Sequence, residues 1–350
     1  MKQTILKSIM IPAVVAVCMM SSPLDAHAAA TRLSSLRVYF IDVEGGQSTL
    51  FVAPNGQSLL IDTGWSGNNG RDADRIVAVA KQAGLSRIDY VLLTHYHEDH
   101  VGGVPQLAAR FPIGGFLDHG PNRELKNPST VKGYQAYQAV LAAGNYKHLT
   151  MAPGDKLPLE GINGTVISAD GNLIAQPLAG AGEENPYCGV SESRPEDQTE
   201  NARSLGVLIT FGKLKILDLG DLTWDKEMQL MCPVNRIGHV DVLIVSHHGW
   251  YQSSSPALVD ALHARVAIMD NGEKKGGSTP TFNTLAAAPG LQGLWQLHFS
   301  DEAEKLNTPQ TYIANPNGPD GGNWIELDGD ASGNITVTNS RNGYTHEYKR

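Results

Sequence analysis

Apolar residues along this chain fall into two recurring patterns. Short runs rich in Val, Ile and Leu, bounded by Gly, Asp or Asn, predict strands. They lie at 36–43, 49–53, 58–62, 88–94, 115–118, 205–211, 214–219, 240–245, 265–270 and 294–299. Apolar positions at helical spacing predict helices at 72–83, 101–111, 130–143, 224–231, 256–262 and 279–287. Strands that alternate with helices imply an α/β fold, with sheets covered by helices.

Two stretches fall outside this alternation. Residues 171–203 hold Pro177, Pro186 and Pro195 with Gly180 and Gly182, and read as one long surface loop. Loops of that length in compact domains are lids, binding loops or disordered segments. The tail 323–350 reads as a hairpin, 324–327 with 335–338, packed on the main body. A short internal repeat joins the two halves. Leu59-Leu60-Ile61-Asp62-Thr63-Gly64 echoes Lys215-Ile216-Leu217-Asp218-Leu219-Gly220, and the run 88–95 echoes 239–247. In each half a strand ending in Asp-x-Gly precedes, by about thirty residues, a strand ending in His.

Composition changes the picture mainly at the N-terminus. Lys2 and Lys7 precede an apolar core over 9–20, and Ala26-His27-Ala28 supplies a cleavage site. This predicts a signal peptide over 1–28, a mature chain from Ala29 and a periplasmic or secreted protein without a membrane span. A lipid anchor on Cys18 is disfavoured because Val17 is not the small residue that such a site needs. Loss of residues 1–28 removes Lys2, Lys7 and Asp25, leaving 25 basic and 35 acidic residues, net −10. No Lys/Arg cluster of the nucleic-acid-binding kind is visible, which weakens a nuclease reading. Lys274-Lys275 and Arg341 read as solvated charges. Two cysteines remain, Cys188 and Cys232, either joined by a disulfide in an oxidising compartment or separately buried.

The chemistry concentrates in Thr94-His95-Tyr96-His97-Glu98-Asp99-His100-Val101-Gly102-Gly103. Three histidines and a carboxylate follow a predicted strand, and these are ligands that zinc takes at open sites. His95 and His97, two apart, point to one side of an extended segment and can share an ion. Asp99 and His100 follow as the chain turns into a helix, within reach of a second ion about 3.5–4 Å away. Gly102-Gly103 leave room for backbone to pass close to the centre. Tyr96 and Glu98 are assigned no catalytic role.

The run His95-x-His97-x-Asp99-His100 resembles the metallo-β-lactamase superfamily. Other motifs of that family match at Asp62, at Asp221 in the run 216–221, and at His247-His248-Gly249; His119 is the candidate for its third motif. The match covers residues 36–300. Phe40-Ile41-Asp42-Val43-Glu44-Gly45-Gly46 and the paired histidines resemble the group with competence DNA-uptake hydrolase domains and phosphorylcholine esterases. Trp250-Tyr251 stand where many relatives have Ser, and the 171–203 loop departs from the pattern.

The resemblance implies an αββα sandwich over 29–322, with the two halves facing each other and the ligands at a shared edge. It implies two Zn2+ ions held by His95, His97, Asp99, His100, His119, Asp221 and His248. Asp62 would orient the ligand loop. Asp221 would bridge the ions, with Asp218 as its rival, and His119 has an ordinary loop histidine as its alternative. Of the pair, His248 is favoured as ligand, with His247 and Trp250 toward the substrate. The expected function is hydrolysis of a small molecule by a metal-bound hydroxide held by Asp99 and Asp221. A phosphodiester or phosphate ester is the first choice; a lactone, β-lactam or other carboxylic ester is the alternative. An iron-dependent oxidoreductase and a non-catalytic metal-stabilised binding protein are readings of other classes. No G-x-S-x-G elbow supports serine catalysis.

Overall fold

A computed structural model describes residue 1, residues 35–318 and residues 321–350. The predicted signal segment and Cys18 lie outside the described residues, Met1 excepted. The chain divides into the units Met1–Thr31 and Arg32–Arg350, and every described strand and helix belongs to the second.

The first half builds β1 (Ser35–Phe40), β2 (Thr49–Val52), β3 (Ser58–Ile61), β4 (Ile88–Leu92), β5 (Ile113–Asp118) and β6 (Lys147–Thr150). The second builds β7 (Asn163–Ala169), β8 (Asn172–Leu173), β9 (Gly206–Phe211), β10 (Leu214–Asp218), β11 (Val242–Ile244), β12 (Val266–Met269), β13 (Gly293–His298) and β14 (Ile313–Asn315). The tail forms β15 (Ile325–Asp330), β16 (Ile335–Asn339) and β17 (Thr345–Tyr348). The helices are α1 (Arg71–Gln82), α2 (Glu98–Val101), α3 (Val104–Ala108), α4 (Pro128–Ala143), α5 (Trp224–Met231), α6 (Pro256–Leu262) and α7 (Thr279–Ala287).

Two mixed sheets result, ordered β17-β16-β15-β1-β2-β3-β4-β5-β6 and β14-β13-β12-β11-β10-β9-β7-β8. Within them β3 to β6 run parallel, as do β10 to β14. Apart from the edge strand β6, their residues are largely apolar on both faces because each sheet is covered twice. The inner faces share a core that includes Val38, Phe40, Ile61 and Leu92 from one sheet and Ile209, Ile216, Ile244 and Trp295 from the other. Outside the first sheet, Ile76 and Ala80 of α1, Leu107 of α3 and Tyr137 of α4 pack on Val91 and Phe116. Outside the second, Leu230 of α5, Leu258 of α6 and Phe282 of α7 pack on Leu217 and Leu243. This is the expected αββα sandwich. Among the described residues no helix is long and apolar enough to cross a membrane.

Two departures from the sequence reading have local causes. The single helix expected over 101–111 breaks into α2 and α3 at Gly102-Gly103, poor helix formers followed by Pro105. The space beside those glycines is taken by the 63–66 segment: a Cβ on Gly103 would collide with Thr63 O, and one on Gly102 with Ser66 N. Backbone does pass closely there, but it belongs to the β3–α1 loop.

The tail gains a third strand and is not a hairpin laid on the sandwich. β15 pairs antiparallel with β1 over Ser35↔Asp330 to Phe40↔Ile325, so the C-terminus extends the first sheet. The alternating burial of β15 and β16 fits one inward and one outward face.

The 171–203 loop is pinned. Asn185 N donates to Pro233 O at 2.9 Å and Gly182 N to Asn235 O at 2.8 Å. Trp224 Nε1 donates to Glu192 O at 2.9 Å, and Cys188 is disulfide-bonded to Cys232 across 44 residues of sequence. Cross-linking at that separation stabilises by about 4 kcal/mol on the chain-entropy account. A Cys188→Ser, Cys232→Ser double variant is therefore expected to lose about that much in denaturant unfolding. An unchanged midpoint would mean that the hydrogen bonds alone hold the loop.

Candidate metal centre

The chain leaves β3, β4, β10, β11 and β12 in loops that converge on one edge of the sandwich. Each loop delivers acid or imidazole: Asp62, His95 to His100, Asp221, His247-His248 and Asp270. His100 Nε2 lies 3.3 Å from Asp99 Oδ2 and 3.3 Å from Asp221 Oδ2. His248 Nε2 lies 3.2 Å from Asp99 Oδ2, 3.5 Å from Asp221 Oδ1 and 3.2 Å from His100 Nε2. These four residues are buried and can each present a ligand atom within 4.8 Å of the others. Nε2 of His95, 3.8 Å from Asp221 Oδ2, is buried without a hydrogen-bond partner. Imidazole nitrogens and carboxylate oxygens aimed at one point fit a divalent cation.

Asp62 sets the orientation of this group. Its Oδ1 accepts from Thr94 N at 2.8 Å and its Oδ2 from Thr94 Oγ1 at 2.6 Å. The same Oδ2 lies 2.7 Å from His100 Nδ1. A proton on Nδ1 held there leaves the Nε2 lone pair facing Asp99, Asp221 and His248. Asp270 lies 3.4 Å from His248 Nδ1 on the other side. Asp218, the rival to Asp221, instead accepts from Gln47 Nε2 at 2.6 Å and Gly220 N at 2.9 Å. Burial, against those hydrogen bonds, pushes its carboxyl up to about 7.

Charge balance follows from crowding. Burial alone would raise Asp99 and Asp221. Lys275 and His100 around the first, and His247, His100 and His248 around the second, hold both well below the usual carboxylate range. Burial alone would lower His100, but Asp221, Asp99 and Asp62 outweigh it and hold the imidazole well above its usual range. His95 is pushed well down by burial and by the neighbouring His100 and His97.

The remaining expected residues divide. His247 reaches Asp221 Oδ2 at 3.4 Å from Nε2, while its Nδ1 lies 3.4 Å from Ser253 Oγ. His97 packs beside His95, ring centres 4.7 Å apart, but its Nε2 turns 2.8 Å from Glu124 Oε2. His119, expected as the third histidine of the first ion, is not among the four residues that share one point, and its Nδ1 is buried without a hydrogen-bond partner. Its Nε2 lies 3.0 Å from the buried Glu200 Oε2, and its ring packs on Tyr96. Trp250 lines a cavity of about 180 Å³ with His247, His248, Lys274, Lys275 and Gly276.

Several participants were not anticipated. Lys275 is not simply solvated, because its Nζ contacts Asp99 Oδ2 and donates to Gly45 O at 2.7 Å. Arg341 is likewise engaged, donating to Gln310 O at 2.6 Å. Glu124 and Glu200 face histidines of the site, and Asn201 Nδ2 lies 3.4 Å from His247 Nε2. Asp270 had a readable signal, since it ends a predicted strand as Asp62 does. A second acid–histidine group, Asp42, Glu44 and His298, already contains a cation: Arg75 Nη1 lies 3.0 Å from Asp42 Oδ2 and 3.2 Å from Glu44 Oε1.

Residues 42–180 match the family described as "Metallo-beta-lactamase superfamily". Over those residues this chain carries a metallo-β-lactamase superfamily domain. It is similar to Recombination protein 2 of Haemophilus influenzae, 25% identical over 246 residues, 70% of this chain and 25% of that protein. That likeness falls in the competence-related group expected from the motifs. Hydroxyacylglutathione hydrolase of Stenotrophomonas maltophilia is 36% identical over 105 residues, 30% of this chain and 37% of that protein. The matched segments thus span well under half of either relative. Among solved structures, the metallo-β-lactamase fold protein YhfI of Bacillus subtilis aligns with 14% identity and a TM-score of 0.45, covering 75% of this chain and 96% of that one.

In this metallo-β-lactamase domain, removing the Asp62 carboxylate leaves Thr94 N and His100 Nδ1 without their buried acceptor. Asp62→Ala is expected to weaken metal affinity by about 10–100-fold, as loss of a ligand's outer partner does. The measurement is a competitive metal titration, with circular dichroism as a check on folding. Unchanged affinity in a folded variant would mean that His100 is oriented by other contacts.

Proposed function

We propose that the protein is an exported metal-dependent hydrolase that acts at this centre with two divalent ions, zinc first among them. The observation that carries the reading is the convergence of Asp99, His100, Asp221 and His248 on one point, with His95 Nε2 unpartnered beside them. Divalent ions bound there would acidify a water and polarise the oxygen of the attacked group.

The protein's own residues supply the rest. Asp221 Oδ2 lies 3.8 Å from His95 Nε2 and 3.3 Å from His100 Nε2, and its Oδ1 lies 3.5 Å from His248 Nε2, so the carboxylate is within reach of both ligand sets. Asp99 and Asp221 would hold the attacking water. His95 and His97 would hold the first ion, with His97 released from Glu124; His119 keeps Glu200 on Nε2 and a buried Nδ1 with no hydrogen-bond partner. Asp99, His100 and His248 serve the second. His247 offers Nε2 to the substrate, and Trp250 forms one wall.

The favoured substrate is a phosphodiester or phosphate ester, on the resemblance to the phosphorylcholine esterase group. The likeness to hydroxyacylglutathione hydrolase supports a second reading, a carboxylic ester or thioester, with lactones and β-lactams in the same class. Export is supported by the charged-apolar-A-x-A order of residues 1–28. Mature protein beginning at Ala29 is the expected result of N-terminal sequencing, and retention of Met1 in exported material would end that part of the proposal.

The deciding experiment combines metal content with turnover on a panel of phosphodiester, phosphate monoester, thioester, lactone and β-lactam substrates. Wild type is expected to hold two metals per chain and turn over one class. Asp221→Ala is expected to stay folded and lose the ion of Asp99, His100 and His248 first. Its turnover should fall by about 10²–10⁴-fold, the range for a lost proton-handling group. Two metals retained in folded Asp221→Ala would place the bridge elsewhere. Bound iron with oxygen consumption and no hydrolysis would favour an oxidoreductase.

A further inference from the structure

Lys275 brings to the site a positive charge that none of the steps above uses. It sits in a tight turn between β12 and α7, closed by Gly272 N donating to Lys275 O at 2.8 Å. The segment beyond it is packed on a ligand histidine. Gly277 N donates to His248 O at 2.8 Å, Ser278 N donates to Gly249 O at 2.9 Å, and a Cβ on Gly276 would collide with the His248 backbone. The lysine's backbone is therefore fixed relative to the metal centre, while its side chain is 37% exposed. Its Nζ contacts Asp99 Oδ2, donates to Gly45 O at 2.7 Å and stands 5.1 Å from the Trp65 ring centre. It also lines the cavity shared by His247, His248 and Trp250.

The geometry points to Lys275 as the anchor for a negatively charged group, a carboxylate or phosphate, on the molecule that enters this cavity. In the chain without metal its ammonium neutralises Asp99. A cation taken up by Asp99 repels that ammonium at close range and in a buried setting. Lys275 then turns from Asp99 toward the open cavity, where its three donors suit oxygens of an anion. A local cation matters more here than on a neutral protein. The full chain carries net −9, and a field of that sign disfavours the approach of an anion that meets no positive charge. The identification of that molecule as a substrate rests on the hydrolase reading above, whereas the binding of an anion does not.

The test uses metal-loaded wild type, Lys275→Gln and Lys275→Arg. Each is titrated calorimetrically with inorganic phosphate and, separately, with succinate, and metal per chain is measured. Lys275→Gln is expected to bind at least one of the two anions about tenfold more weakly, the order expected of one charge-assisted hydrogen bond. Lys275→Arg is expected to stay close to wild type, and metal content to be equal in all three. Loss confined to phosphate or to succinate would name the anion. Lys275→Gln binding both anions as wild type does would overturn the proposal. So would loss of metal from Lys275→Gln, which would make the lysine a support of the centre and not an anchor for its ligand. If wild type hydrolyses nothing in the panel yet the Gln variant loses anion affinity, the hydrolase reading falls and the anion site stands.

Discussion

The architecture of the site depends on the carboxylate of Asp62. It is fully buried at the end of β3, and its two oxygens take three polar groups from the loop after β4. One of those groups is the Nδ1 of His100, so the bond that ties two adjacent parallel strands together also chooses which imidazole nitrogen faces the centre. Burial makes the arrangement all-or-none. A carboxylate without partners at that depth would be expelled or protonated, and His100 without Asp62 would have no reason to keep one tautomer. Fold and chemistry thus share a single constraint.

That constraint creates a charge problem, which the other half of the molecule helps to solve. Asp62, Asp99, Asp221 and Asp270 are all buried within the same group of loops. Like charges so placed are tolerated only with cations or protons between them. In the chain without metal, the protons on histidines and the ammonium of Lys275 serve this purpose. The positions nearest the centre are consequently those that bound cations would reorganise most. The Asp42–Glu44–His298 group shows the alternative outcome, where Arg75 supplies a permanent cation and the cluster has no such need.

How much of this was legible in the sequence differs by layer. The strands that carry ligands were legible because parallel strands covered on both faces read as continuous apolar runs, and their ends are marked by the ligands themselves. Strand ends at Asp62, Asp118 and Asp218 were each placed within a residue. Asp221 could be separated from Asp218 only by the fold, because two residues of strand-to-turn geometry decide which carboxylate enters the centre. β6 and β17 went unread for a different reason. Lys147-His148-Leu149-Thr150 and Thr345-His346-Glu347-Tyr348 lie at sheet edges, where solvent permits polar residues and the apolar signal disappears.

The partners of His97 and His119 expose a deeper difference between ligands and their surroundings. A histidine two residues from another histidine announces itself by spacing. Glu124 lies 27 residues from His97 and Glu200 lies 81 from His119, and no local pattern links either pair. The two carboxylates come together only because the 171–203 loop folds back: Glu200 Oε1 accepts from Arg123 N, and Glu200 N donates to Glu124 Oε2 at 3.4 Å. The same loop is held at its other end by the Cys188–Cys232 disulfide. The segment that departs most from the family pattern therefore supplies the partner of His119 and touches the partner of His97. Short-range spacing marks the histidines and acids of the site, whereas the groups that engage them are set by contacts distant in sequence.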